Sequence, residues 1–339
     1  MMKTKKMPFI AGILAFSSVN VFAVGYGQVN LMSNWKTGMD QQNGIATGFA
    51  GIKDNLQVKD LGLSYQLEGQ FAASGDRFDD AGIKNDEIEL RIAAIKLTTK
   101  SYGAIYMGRG MSGTYRNLYS RTDIHPFTNV EKFSMNKILF QQGKYSNNVL
   151  AYASPKFKSS VGNFQFKLSS VNPQCEGGAN DDALGARLLY STTNFNAEIN
   201  YTRKDPSLGG DDRKHHNNQW AIGADYTIGY VTLGYTGEFA QNSFYYDTSI
   251  ENYLEGYDEQ THSVSILTKV DDMKYGLSFQ LRNSDNVTRD DIGLLIGSVV
   301  YSYSKELDFA IEYANYTGSN DYLDYADSHS FTAGLTFRF

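Results

Sequence analysis

Five histidines (His125, His215, His216, His262 and His329) and a single cysteine, Cys175, are the side chains best suited to covalent or metal chemistry in this 339-residue chain. A nucleophilic enzyme needs a hydroxyl or thiol beside a base that a third group orients. None of the five histidines recurs in a Ser/His/Asp setting, so protease or lipase chemistry has no anchor here. His215–His216 is a metal clip by residue type, but two adjacent histidines on a polar stretch read as solvated side chains. Cys175, in "NPQCEGG", reads as an incidental exposed thiol. No metal and no cofactor is expected.

The elements that carry these residues have one dominant period. In "DLGLSYQLEGQF", Leu61, Leu63, Tyr65, Leu67 and Phe71 alternate with Gly62, Ser64, Gln66, Glu68 and Gln70. "YGLSFQLR" and "LDFAIEY" repeat the pattern. Strict alternation predicts strands with one apolar and one polar face. Sixteen such segments follow one another, among them 44–52, 58–72, 142–154 and 158–170. Short connections ("TTN", "GY", "VDDM", "SKE") trade places with long polar ones such as "KDPSLGGDDRKHH". No stretch after the leader holds 18 consecutive apolar residues, which excludes a helical membrane protein.

The two ends say where such a sheet belongs. Residues 1–23 begin "MMKTKK", continue through an apolar run and close on "VNVFA", with Val21 and Ala23 as small residues. This pattern predicts a signal peptide removed after Ala23, leaving one domain over 24–339. Loss of Lys3, Lys5 and Lys6 with it deepens the formal net charge of −6 by three. An acidic chain of this kind is a poor nucleic-acid binder. With one cysteine, no internal disulfide is available after export. At the other end, "SHSFTAGLTFRF" puts Phe331, Ala333, Leu335, Phe337 and Phe339 on one face and Ser330, Thr332, Gly334, Thr336 and Arg338 on the other. A sheet in hydrocarbon cannot leave an unpaired edge, so this last strand is expected to close on the first. The fold class that follows is an all-β, 16-stranded antiparallel up-and-down transmembrane β-barrel.

The mature chain resembles the general diffusion porins of the Gram-negative outer membrane along essentially its whole length. The resemblance rests on "VGYGQVNL", "KDLGLSYQLEGQF", "ELRIAAIKL" followed by "YGAIYMGRG", "TDIHPF", "GKYSNNVLAYASPKF" and the terminal "LTFRF", in that order. It implies a homotrimeric channel, set in outer-membrane lipid and lipopolysaccharide and delivered by the barrel assembly machinery. It also implies a third long loop that folds into the lumen and narrows it. The segment 110–141 is the longest connection on the long-loop side and fits that role. The five acids of "DTSIENYLEGYDE" (Asp247, Glu251, Glu255, Asp258, Glu259) read as a solvated loop or as a place to share divalent cations with lipopolysaccharide phosphates.

Such a channel filters by size and by field. By resemblance, Arg91, Arg109 and Lys144 match the family's basic wall positions, and Asp123 its loop aspartate. Arg or Lys facing lipid at mid-membrane costs about 2–4 kcal/mol, so an inward direction is expected for Arg91, with Leu90 and Ile92 facing lipid. Arg109 shares its parity with Ile105 and Met107, which leaves its direction open. The family's acidic residue after the loop proline is missing, since Phe127 follows Pro126; Glu131 is the substitute candidate. Within the loop Arg116, Arg121, Lys132 and Lys137 outnumber Asp123 and Glu131, so the resemblance does not carry cation preference to this chain. Phe331, Phe337 and Phe339 are the candidate assembly residues of the closing strand. The function expected is passive diffusion of small hydrophilic solutes. The alternative is a substrate-specific channel, for sugars for example, with a barrel enzyme or an adhesin behind it.

Overall fold

A strand such as Leu307–Thr317 has Phe309, Ile311 and Tyr313 on one side and Asp308, Ala310, Glu312 and Ala314 on the other. It satisfies its backbone only by pairing along both edges. The structure is a computed structural model that describes residues 23–37, 41–73, 88–127, 145–171, 183–206, 215–243, 245–247, 252–254, 257–285, 291–318 and 328–339. The strands, in chain order, are β1 (Val24–Lys36), β2 (Gln42–Val58), β3 (Leu61–Ala73), β4 (Glu89–Thr99) and β5 (Gly103–Met111). Then come β6 (Tyr145–Ala153), β7 (Gly162–Val171), β8 (Ala183–Ser191), β9 (Phe195–Lys204), β10 (Asn217–Ile228) and β11 (Val231–Gln241). The last five are β12 (Glu259–Val270), β13 (Met273–Ser284), β14 (Ile292–Ser302), β15 (Leu307–Thr317) and β16 (Ser328–Arg338). Each pairs antiparallel with its sequence neighbours. The sheet closes where β1 meets β16, from Gln28 opposite Arg338 to Lys36 opposite Ser330. Phe339 extends the seam: its N–H donates to the Gly27 carbonyl at 3.1 Å and its carbonyl accepts the Gly27 N–H at 2.9 Å.

Short turns at 59–60, 100–102, 160–161, 192–194, 229–230, 271–272 and 303–306 share one rim, and the longer connections share the other. Two boundaries differ from those expected. β2 does not end at residue 52 but runs to Val58, and the turn falls where Lys59 takes a φ of 55°. Polar "KDN" reads as a break, yet the inner face of a barrel is wet. Lys53 lies on that face, its Nζ 4.3 Å from the centre of the Tyr26 ring. The second difference lies after β6. Pro155 has no N–H to give the ladder, and the Ser154 hydroxyl instead accepts the Phe166 N–H at 3.0 Å. The strand resumes over Phe157–Ser159, still against β7, so the turn sits at 160–161.

The two faces are sorted by chemistry. Outside, Ile199, Ile222, Ile266, Leu277 and Ile311 are exposed in a central apolar band. Aromatic rows flank it. On the short-turn side Phe164, Tyr190, Phe195 and Tyr226 form a chain of ring contacts, and Tyr303 bridges Tyr301 and Phe309. On the other side stand Tyr201 with Trp220 and Trp35 with Phe331. Such girdles sit at the two head-group levels of a bilayer. His329, bonded to the Tyr313 hydroxyl at 2.7 Å, and His262, bonded to Tyr235 at 2.9 Å, are part of these outward rows. Inside, Asn200, Gln219, Thr236, Ser263, Gln280 and Thr332 are buried polar side chains, and Ile292, Leu294 and Ile296 of β14 add a buried apolar strip.

Candidate functional site

After β5 the chain turns into the lumen. The Ser112 hydroxyl caps α1 (Gly113–Asn117) by accepting the Tyr115 N–H at 3.1 Å. A 3-10 turn, Tyr119–Arg121, follows, and the segment continues to Phe127. Each step is tied to the wall. Asn200 on β9 donates to the Thr114 hydroxyl at 3.2 Å. On β11, Thr236 donates to the Leu118 carbonyl at 3.1 Å, and Glu238 accepts the Tyr119 hydroxyl. On β12, Ser265 donates to the Arg121 carbonyl at 2.9 Å. His125 lies between Ser278 of β13 and Ser298 of β14, at 2.8 and 2.7 Å. The Phe127 N–H donates to Glu312 of β15 at 3.0 Å.

Apolar contacts reinforce this path. Leu118 and Tyr119 are fully buried, and Phe127 packs on Met32 and Ala310. Each such side chain contributes about 1.5–3 kcal/mol on burial. The wall makes room with glycine. A Cβ at Gly223 would lie 2.5 Å from Leu118 Cδ2, and one at Gly234 2.5 Å from the Arg121 carbonyl oxygen. Burial pushes the His125 imidazole down to about 4, so it is neutral at pH 7. One ring nitrogen then donates to a serine and the other accepts from one. Burial also lowers Arg121, which pairs with Asp225 of β10 and donates to the Asn117 carbonyl at 2.6 Å.

The charged residues singled out in the sequence occupy distinct places. Arg91 points inward, 3.4 Å from Glu68 and 2.5 Å from the Tyr145 hydroxyl, with its guanidinium 3.8 Å from the Phe49 ring centre. It gets there by a bulge: Glu68 faces Ile92 and Gly69 faces Leu90, leaving Arg91 as the extra residue. Ile92 therefore does not face lipid as expected; it is buried on the inner face opposite Glu68, while Leu90 stays exposed. Asp123 belongs to the loop, its carboxylate accepting the Tyr115 hydroxyl and its N–H donating to the Tyr119 carbonyl at 2.9 Å. Arg109 pairs with Ala93, in register with Ile95 and Met107 on the outer face, and bonds Asn147. Lys144 and Glu131 lie outside the described residues, as do Lys132, Lys137, Cys175, Glu251, Glu255 and residues 1–22. Phe331, Phe337 and Phe339 are all exposed on the outer face of the seam.

Between the loop and the wall two adjoining cavities of about 540 and 720 Å³ share Arg116, Asn117, Lys156, Gln165 and Lys167 in their linings. The larger is also lined by Arg187. Sequence reading passed over Lys167, although "FQFKLSS" carries it as one charge at inward parity among outward-facing apolar residues. The arrangement offers a wet, charged passage beside a fixed constriction.

Comparison with known proteins agrees with this geometry. A family model described as Gram-negative porin matches residues 9–321. No curated protein sequence matches. Among solved structures, the chain is similar to OmpF of Salmonella typhi in complex with daunomycin, at 18% identity and a TM-score of 0.75, covering 94% of this chain and 97% of that one. It is similar to an anion-selective porin from Comamonas acidovorans, at 15% identity and 0.70, over 94% and 99% of the two chains. A trimer form of OmpT from Vibrio cholerae is similar at 15% identity and 0.65, over 94% and 99%.

Proposed function

The chain belongs to the Gram-negative porin family and is thus an outer-membrane channel for passive diffusion, and from that premise we propose how this lumen filters. The segment from Ser112 to Phe127 sets the size limit for small hydrophilic solutes, which cross without chemical change. The observation that carries this is its attachment: bonds to β9, β11, β12, β13, β14 and β15 hold it across the lumen and leave one side open. Arg91 on the wall and Asp123 on the loop contribute to the field in that gap, with Lys144 and Glu131 as further candidates from the sequence.

Residues 1–23 serve as the removed leader of the 24–339 barrel. The chain works as a homotrimer in outer-membrane lipid and lipopolysaccharide. The outer face of β4 and β5 supports an oligomer, because an Arg109 facing hydrocarbon would cost about 2–4 kcal/mol at mid-membrane, and a partner subunit removes that cost. The Vibrio cholerae relative is likewise described in a trimer form. Phe331, Phe337 and Phe339 form the seam strand offered to the assembly machinery.

Reconstitution tests the channel reading. The purified protein should give discrete single-channel steps in planar bilayers, and liposomes containing it should swell more slowly as the sugar supplied grows larger. Folded protein that conducts nothing, or swelling that ignores solute size, would overturn it.

A further inference from the structure

The lumen sorts its charges onto two sides. Wall carboxylates stand behind the loop and are engaged there: Glu238 with Tyr119, Glu312 with the Phe127 N–H, Asp225 with Arg121. Glu238 and Glu312 are only 1% and 2% exposed. The open side is the reverse. The 720 Å³ cavity is lined by Lys96, Lys100, Arg116, Lys156, Lys167, Arg187 and Lys204, and by no Asp or Glu among the described residues.

These cations form a path from rim to rim. Lys204 ends β9 at the long-loop rim. Arg187 and Lys167 are cross-strand partners at mid-barrel, with Arg116 facing them from the loop. Lys156 sits in the break after β6, and Lys100 lies in the short turn after β4. Like charges directly opposite on neighbouring strands destabilise a sheet. One carboxylate, Glu198, lies 3.9 Å from Arg187, but it is 2% exposed and sits beneath the surface. Lys167 also donates to the Asn117 amide oxygen at 3.3 Å, and the single Glu198 carboxylate is shared between Lys167 and Arg187, so the pair keeps a net positive charge. Arg116, Lys156 and Lys96 are exposed to the lumen.

We propose that this basic face is an anion path: small oxyanions such as inorganic phosphate, phosphate monoesters and carboxylates associate with Arg116, Lys156, Lys167 and Arg187 as they cross. The chain then favours anions although its overall charge is negative. In a narrow pore, partly buried charge is screened less than charge on outer loops, so the local lining decides preference. The inference rests on the channel reading and refines it without making the channel substrate-specific.

Inorganic phosphate is the probe. With the wild-type protein in a planar bilayer, a potassium chloride gradient should give a reversal potential of the sign set by chloride. Phosphate added at constant ionic strength should lower the chloride current in a concentration-dependent way. Arg116→Gln combined with Lys156→Gln, both exposed, should weaken the phosphate block and move the reversal potential toward potassium. Lys305→Gln, on the turn between β14 and β15, should do neither. Should the double variant fail to fold, the wild-type measurements decide alone. A potassium-preferring wild type, a phosphate-insensitive current, or a double variant that behaves as wild type would overturn the anion path. Absence of any conductance would instead overturn the channel reading.

Discussion

Two residues illustrate how closely the loop and wall are fitted. Gly223 and Gly234 stand on neighbouring strands, β10 and β11, where the loop presses hardest. At Gly223 an added Cβ meets Leu118, which is fully buried and has nowhere to retreat. Overpacking a filled site costs about 1–3 kcal/mol. Gly223→Val is therefore expected to push the loop off the wall, lowering thermal stability and raising open-channel current noise. Gly25→Ala is the control, since a Cβ there meets nothing within 4 Å. Equal behaviour of the two variants in melting and single-channel traces would show that the loop does not bear on Gly223.

At the scale of the element, the loop is held by a titratable clip. His125 is neutral when docked, with its proton affinity pushed down to about 4 from 6.5. The groups facing it are the Ser278 and Ser298 hydroxyls, with Ile124 and Gly276 nearby, and none of these carries charge. Above about pH 6.5 docked and released loops are both neutral at this residue, so it contributes no pH dependence. Below that, the released loop takes up a proton that the docked loop refuses, and docking weakens progressively down to about pH 4, by at most roughly 3 kcal/mol. Conductance fluctuations should thus grow between pH 6.5 and 4, and His125→Asn should flatten that dependence. A wild-type trace unchanged over this range would refute the clip. Much of the element layout was legible beforehand, because alternation alone separates an outward apolar face from an inward polar one. What alternation hides is any residue that breaks parity. The bulge at Arg91 turns both it and Ile92 inward, and no local signal in "ELRIAAI" marks it. The polar "KDN" conceals a continuing strand for the opposite reason, since inward polar residues are normal in a wet barrel. The loop's path was legible only as an unusually long connection. Its anchors, Ser265, Ser278 and Ser298, look like any other inward serine.

For the whole molecule, the decisive question is what covers the outer face of β4 and β5. Aromatic ring pairs line the outside from β6 through β16 to β1, while Ile95, Leu97, Ile105 and Met107 are the exposed outer residues around Arg109. A guanidinium among aliphatic side chains, bonded to Asn147, is costly to leave facing lipid. It suits a subunit interface, where a partner supplies acceptors and excludes hydrocarbon. Two roles for Arg109 then give opposite results. As a constriction charge, Arg109→Ala would shift the reversal potential toward cations and leave the oligomer intact. As an interface charge, Arg109→Ala should lower the temperature at which the detergent-solubilised oligomer dissociates on a semi-native gel, while ion preference stays at the wild-type value. The register with Ala93 favours the second outcome, and the bond to Asn147, which lines the lumenal cavity, favours the first. A gel shift unchanged from wild type, together with altered selectivity, would return Arg109 to the pore and remove the main physical support for this face as the contact between subunits.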